Sequence, residues 1–293
     1  RSIDKEVITR ITEITLNKIE EEDSGSSYPL YVLFNPHTEV NKTITELFAN
    51  ELGLLKRAYF VVLKTDSYMD HDGRTFNRIL DLEPKFVLEY ISQIYEREKW
   101  PSIHDDILDY TFLWIRDDYE NIMNLIAEDI YQREVSEREA DQILFGNTYF
   151  ETFFGLTENS LMENKKDHPE VVEHQDRFLK NLIESRHNDQ TFMGFIFSVI
   201  VHFSPEKRIP FINLLLEHNK KFELFRKIPL EPNSWSWIGS AVPVHQKRAE
   251  YFESLLPLLN TVDLLQHKQY IEKKIGEIRS HIEWEKKRNF MED

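Results

Sequence analysis

The sequence predicts an all-α protein built from stacked helical pairs. Three observations predict it. Apolar residues recur at spacings of three and four along most of the chain, the periodicity that lines one face of a helix. Only 8 glycines occur in 293 residues, which argues against a strand-and-turn protein and against Gly-rich phosphate loops. The stretch from Asn188 to Asn219 reads as one complete helical hairpin. In it, Asn188 or Asp189 caps a helix that is apolar on almost every side (Phe192, Met193, Phe195, Ile196, Phe197, Val199, Ile200, Val201) and so is buried between neighbours. Ser204 then caps a second helix with Pro205 at its first position, where a missing N–H costs nothing. A turn this short makes the two helices antiparallel. Roughly 30 residues is the unit size of helical-repeat solenoids.

The chain opens with an amphipathic helix from Ile3 to Glu22, in which Val7, Ile8, Ile11, Ile14, Thr15 and Ile19 are expected to line one face. Its C-terminal acids, Glu20 to Asp23, oppose the helix dipole, and Ser24 to Ser27 follow as a linker. Tyr28 to Phe34 is β-prone and reads as a short strand or as the extended entry to the next helix. Val40 to Leu55 reads as a helix; Tyr59 to Leu63 is ambiguous between buried helix and strand, with its neighbours favouring helix. Thr65 to Gly73 is loop-like, Phe76 to Leu82 a short helix, and Pro84 opens another through Tyr95. From Ser102 to Ile130 the apolar positions stay in phase, either as one long helix or as two broken near Arg116-Asp117-Asp118.

Ser136 with Glu139 forms a capping box that starts a helix to Phe145, stopped by Gly146-Asn147. Thr157 to Asp167 is polar and is the best internal boundary, dividing an N-terminal helical array, 1–160, from a C-terminal one, 161–293. Pro169 opens a helix through Ile183, and the hairpin follows. A loop with Pro229, Pro232 and Pro243 carries Trp235 and Trp237, two apart and so on one side of an extended chain. These indoles either fill the groove between hairpins or form a partner-contact patch. Gln246 to Leu259 is a helix bent at Pro257. The last helix carries the stripe Leu264, Ile271, Ile275, Ile278 and Ile282 opposite a charged face, as a terminal capping helix does; a free coiled-coil arm is the rival reading. Together these elements predict an irregular HEAT-like or armadillo-like α-solenoid.

A net charge of −16 argues against nucleic acid, which calls for clustered positive charge, and against an anionic membrane surface. Lys165-Lys166, Lys220-Lys221, Lys273-Lys274 and Lys286-Lys287-Arg288 sit among acids and read as solvated helix faces. No cysteine is present, which excludes disulfides, thiol catalysis and Cys-ligated zinc and fits a reducing, cytoplasmic compartment. The N-terminus, Arg1-Ser2-Ile3-Asp4, has no secretory signal and no initiator Met, so a fragment or a processed chain is expected.

Chemical motifs are sparse. His71-Asp72 and His104-Asp105 match the dipeptide with which all-α HD-type phosphohydrolases hold a divalent metal; His37, His71, Asp72 and Asp109 or Asp117 fill the roles of that alternative reading. Tyr68 to Ile79 fails as a calcium loop because neither end can chelate. Glu184 and His187 have di-iron spacing but lack a second pair. No HExxH, Walker, GxSxG or dinucleotide signature occurs, so no cofactor is implied.

The segment from Phe211 to Asp293, with Phe222 to Pro232 (FELFRKIPLEP), Ser234-Trp235-Ser236-Trp237 and Phe252 to Leu259 (FESLLPLL) before a charged last helix, resembles the C-terminal helical-repeat regions of large bacterial STAND-type P-loop NTPases. That resemblance implies a helical array that senses a ligand or partner, without the NTPase, since no phosphate loop is present. The expectation is a non-enzymatic scaffold or sensor region that binds a protein partner or another domain of a longer parent chain, with Trp235 and Trp237 as contact residues. A metal phosphohydrolase using His71 and Asp72 and a structural or oligomerisation module using the last helix are the alternatives.

Overall fold

A computed structural model describes residues 4–22, 28–35, 37–65, 70, 72–97, 110–139, 146–155, 169–231 and 240–292. Among these the backbone forms sixteen α-helices, α1 to α16, and two short 3-10 turns, with no strand. None of these helices is long and apolar enough to cross a membrane. The chain divides into two compact units, Arg1–Arg133 with Thr152–His174 and Glu134–Glu151 with Gln175–Asp293.

The first unit holds α1 (Lys5–Glu22), α2 (Tyr28–Phe34), α3 (Glu39–Lys42), α4 (Ile44–Leu47), α5 (Leu52–Thr65), α6 (Arg74–Leu82), α7 (Phe86–Arg97), α8 (Thr111–Ile115) and most of α9 (Tyr119–Glu139). The β-prone segment is α2, not a strand or an extended entry. Leu30, Leu33 and Phe34 fall at helical spacing and are buried together, and Pro29 sits in the first turn, where the backbone N–H has no intrahelical partner to lose. The single helix expected from Val40 to Leu55 is instead three. Thr38 caps α3 by accepting the Asn41 N–H, Thr43 and Phe48 leave helical geometry, and α5 begins afresh at Leu52, carrying the Tyr59–Leu63 segment as helix. Between α8 and α9 the break falls at Arg116, whose backbone is extended.

Aromatic rings fill the gaps that short helices leave. Phe34, Phe76 and Phe86 surround Tyr59 at centroid distances of 5.7, 6.3 and 5.7 Å. Phe76 meets Tyr90 edge-on at 4.7 Å, and Tyr110 meets Phe153 at 4.5 Å. Trp114 donates its indole N–H to the Phe153 carbonyl at 2.8 Å. His174 stacks on Tyr119 at 4.0 Å and bonds the Trp114 carbonyl through Nδ1 at 2.7 Å.

The second unit holds most of α10 (Gly146–Phe153) and α11 (Pro169–Arg186), then α12 (Gln190–Ile200), α13 (Pro205–His218), α14 (Phe222–Phe225), α15 (Val242–Leu255) and α16 (Leu265–Glu292). Ser136 starts nothing: α9 runs through it to Glu139, and Gly146 opens α10 rather than stopping a helix. The reason is local. The Gly146 N–H donates to the buried Glu134 carboxylate at 2.9 Å, and a Cβ at this position would strike that carboxylate and approach Phe195 to 2.8 Å.

The hairpin of α12 and α13 is as its caps predict. Asp189 accepts the N–H groups of Thr191 and Phe192, and Ser204 accepts that of Lys207 at 3.4 Å. What closes the hairpin is Arg208, only 1% exposed. Its guanidinium donates to the carbonyls of Val201 at 2.5 Å, Phe203 at 2.9 Å and Pro229 at 2.8 Å. Burial pulls its pKa below the usual guanidinium value.

Helix α15 ends in a 3-10 turn, Leu256–Leu259, at the predicted Pro257 bend. It packs along α16, antiparallel, as contacts from Glu253 to Arg279 and from His245 to His281 show. The stripe Leu264, Ile271, Ile275, Ile278 and Ile282 is buried, so the last helix lies against its own chain and is not a free arm.

Replacing Arg208 by alanine strands three carbonyls away from water. The expected loss is about 2–4 kcal/mol of unfolding free energy, the cost of several unmet buried acceptors. Urea denaturation of the Arg208→Ala chain measures it; a midpoint equal to wild type refutes the clamp.

Candidate functional site

The side chain pattern of α1 does not resolve as its periodicity suggests. Asp4 caps the helix by accepting the N–H groups of Glu6 and Val7. The face that packs on α5, with α2 and α4 beside it, is made by Thr12 and Leu16, flanked by the half-buried Ile8, Thr15 and Ile19. Arg57 of α5 locks the far end by donating to both oxygens of Glu20 at 2.8 Å. Val7, Ile11 and Ile14 lie on the opposite face, 50%, 52% and 57% exposed. The expected single stripe is therefore two. Positions 7, 11 and 14 repeat at four and three, and so do 8, 12, 15 and 19, about a quarter-turn and more away. The fold buries Thr12 of the second set together with Leu16, which lies outside that repeat, so the inward face falls between the second set and Leu16.

Five residues, Asp4, Val7, Ile11, Ile14 and Lys18, thus form a line spaced 3-4-3-4, the seam spacing of paired helices. Its centre is aliphatic, one end is acidic and the other basic. On α2, Tyr28 and Val32 are also exposed and lie one turn apart. Half-exposed aliphatic residues are ordinary singly; here three lie in register on one helix.

Trp235 and Trp237, the contact residues expected from sequence, lie outside the described residues, as do His71, His104, Asp105 and Asp109. Asp72 is exposed and pairs with Arg74 at 2.6 Å. His37 and Asp117 are exposed. Among the described residues no group of three His, Asp or Glu side chains could hold a metal ion.

The buried acid of this stretch is its neighbour Asp70, which the sequence reading did not single out. Its carboxylate accepts the Thr75 N–H at 2.9 Å, the Phe76 N–H at 2.8 Å and the Tyr59 hydroxyl at 3.1 Å. Gly73 turns the chain with φ of 64°, and a Cβ there would collide with the Phe112 ring. Asp70 and Gly73 therefore serve to start α6. Burial raises the Asp70 carboxyl from 3.8 to about 6, against the pull of its hydrogen bonds. Burial together with Asp70 pushes the Tyr59 phenol well above its ordinary value.

Among the described residues two polar concavities stand out. In the first unit an open cavity of about 390 Å³ is lined by Asn77, Asp81, Phe112 and Arg116. Arg116 is already answered there: it bonds Asp118 at 2.6 and 3.1 Å and Asp81 at 2.8 Å. In the second unit a cavity of about 80 Å³ lies beside Asn188 and Asn219. Asn219 is fully engaged in its wall, donating to the His187 carbonyl at 2.8 Å and accepting the Lys221 N–H at 3.0 Å.

No protein-family model matches the chain, and neither a curated protein nor a solved structure matches it.

The Asp70 geometry sets a pH dependence. Its folded-state pKa of about 6 is above the unfolded value of 3.8, so the folded state holds the proton more tightly. The stabilisation is complete below about pH 4 and is lost as pH rises through 6. Two pKa units correspond to about 2–3 kcal/mol. Unfolding free energies of wild type and Asp70→Asn, which cannot titrate, should diverge by that amount in favour of wild type on going from pH 7.5 to pH 4. A constant difference across the range refutes it.

Proposed function

We propose that this chain works by binding: a helical scaffold or sensor region, its pairs stacked in a HEAT-like or armadillo-like manner, that recognises a protein partner or another domain of a longer parent chain through the exposed face of α1. The observation that carries this reading is the aliphatic line Val7, Ile11 and Ile14, held rigidly outward by a helix whose other side is locked to α5. A rigid helix face costs little ordering entropy on association, and three aliphatic groups in register supply the apolar centre that a helix-to-helix contact needs. Acidic balance argues against the counterion-release route to nucleic acid and favours protein surfaces as the class of partner. The sensing role implied by the resemblance of the C-terminal segment belongs to the same class.

A photo-cross-linking amino acid placed at Ile11 in the full chain, expressed in cells, tests the reading. Irradiation should yield a discrete higher-mass adduct, while the same probe at exposed Glu13, off the stripe, should not. Ile11→Asp should leave stability within about 0.5 kcal/mol, because the site is exposed. No adduct at position 11, or equal adducts at both positions, refutes the surface.

A further inference from the structure

We propose that His267 makes the seat of the last helix sensitive to acid: protonation of its buried imidazole releases the start of α16 from α14. This latch lies within the second unit and is independent of the α1 face.

The sequence of α16 places the imidazole where an apolar side chain belongs. The buried stripe steps by threes and fours through Ile271, Ile275, Ile278 and Ile282, and His267 fills the longer interval between Leu264 and Ile271. His267 is 1% exposed. Phe222 and Phe225 of α14 wall it at centroid distances of 5.3 and 4.8 Å, both rings steeply crossed against the imidazole. Both ring nitrogens are buried, and neither has a hydrogen-bond partner among the described residues. A leucine at this position would fill the stripe with no polar atom to satisfy.

A neutral imidazole leaves one donor and one acceptor unmet here; an imidazolium has two donors and a full charge to satisfy. Phenyl rings attract a cation but accept no strong hydrogen bond, so they do not replace the water that an imidazolium loses. His267 is also the third residue of α16, near the positive end of the helix dipole, which disfavours a cation. Burial holds the imidazole below its ordinary value of 6.5, against the opposing pull of Asp263.

The surrounding elements bring little countercharge. The 3-10 turn Leu256–Leu259 has no titratable residue. The turn Val262–Leu264 brings Asp263, which is exposed and already takes the Lys220 ammonium at 2.5 Å. On α14, Glu223 is exposed and lies 3.9 Å from Arg226. Next to His267 on α16, Lys268 bonds Asn260 at 3.4 Å and adds a like charge, while Tyr270 packs its ring on the same two phenylalanines. On α15, His245 and Glu253 meet α16 at His281 and Arg279, about three turns further on.

Acid therefore works against the seat. The folded imidazole holds a proton less tightly than the unfolded one, so the stabilisation is complete above about pH 6.5 and is lost as pH falls below it. Helix α14 is four residues long and rests on α16 through Phe222 and Phe225, so this contact opens before the whole unit does. Opening uncovers the apolar stripe at Leu264 and Ile271, which is buried at neutral pH.

Hydrogen exchange on the full chain, corrected for the intrinsic rate, tests the latch. Between about pH 7.5 and about pH 5, protection of Phe222–Phe225 and of residues 265–275 should fall roughly tenfold, the order that one proton sets, and the rest of the second unit should fall less. His267→Leu, which cannot take a proton, should keep its protection at both pH values. NMR titration of the wild-type imidazole, assigned by through-bond correlation, should show His267 protonating below 6.5 and together with the loss of protection.

Equal protection of these segments in the wild type at both pH values overturns the proposal. So does an equal loss in His267→Leu and wild type, since another group then carries it, or a uniform loss across both units. A His267 imidazole that titrates at 6.5 or above overturns it as well. If the leucine chain does not fold, the wild-type titration decides: protonation coupled to loss of protection supports the latch, and protonation without that loss overturns it.

Discussion

Arg208 shows the constraint on which the rest of this fold depends: the ends of short helices must be satisfied inside the protein. Every α-helix leaves four N–H and four carbonyl groups without intrahelical partners. A fold that uses four-residue segments such as α3, α4 and α14 multiplies that problem. Each unmet group buried away from water costs about 1–3 kcal/mol. The chain answers with polar side chains of the sign the helix dipole favours. Asp189 takes two N–H groups at the start of α12, and Arg208 takes carbonyls where α12 ends. Asp70 does the same at the start of α6, at the cost of a carboxyl that resists ionisation. Arg208 is also bonded to Pro229, so a single buried cation ties the hairpin turn to a segment far along the chain.

That constraint explains which parts of the fold were legible in the sequence. The α12–α13 hairpin was legible because its signals are local: Asp189, and Ser204 followed by Pro205, each act on the next three residues. Arg208 was not, because its partners lie up to 21 residues away and nothing in its neighbours marks it as buried. Ser136 and Gly146 misled for the same reason. A capping box needs a free helix start, and here α9 already occupies the position; Gly146 is fixed by the Glu134 carboxylate rather than by a helix end. Tyr28 to Phe34 has strand-like composition, but burial of Leu30, Leu33 and Phe34 on one helical side overrides that preference.

The candidate surface was half legible. Periodicity marked Val7, Ile8, Ile11, Ile14, Thr15 and Ile19 but not Thr12 or Leu16, the two positions of α1 that are buried, and a helix with stripes at 7-11-14 and at 8-12-15-19 does not state which stripe faces inward. Packing decided it, through Thr12 and Leu16. The acid of the His71-Asp72 stretch that matters to the fold is the one beside the motif. Asp70 is buried and bonded to backbone, whereas Asp72 is exposed beside Arg74. An acidic residue four or five positions before a helix's first N–H groups, followed by a glycine that can turn the chain, was the signal that could have identified it.

Charge sets how a protein of this kind can bind. A net charge of −16 repels other acidic surfaces, and at physiological salt a Debye length of about 8 Å screens that repulsion except near contact. Under the proposed reading, what the α1 face offers a partner is short-range: the aliphatic side chains of Val7, Ile11 and Ile14, each about half exposed. Apolar burial contributes roughly 25 cal/mol per Å², so three such groups supply a modest contact. The exposed Glu20–Arg57 pair adds little to this, so the orientation of α1 rests on the burial of Thr12 and Leu16 where the helix packs on α5.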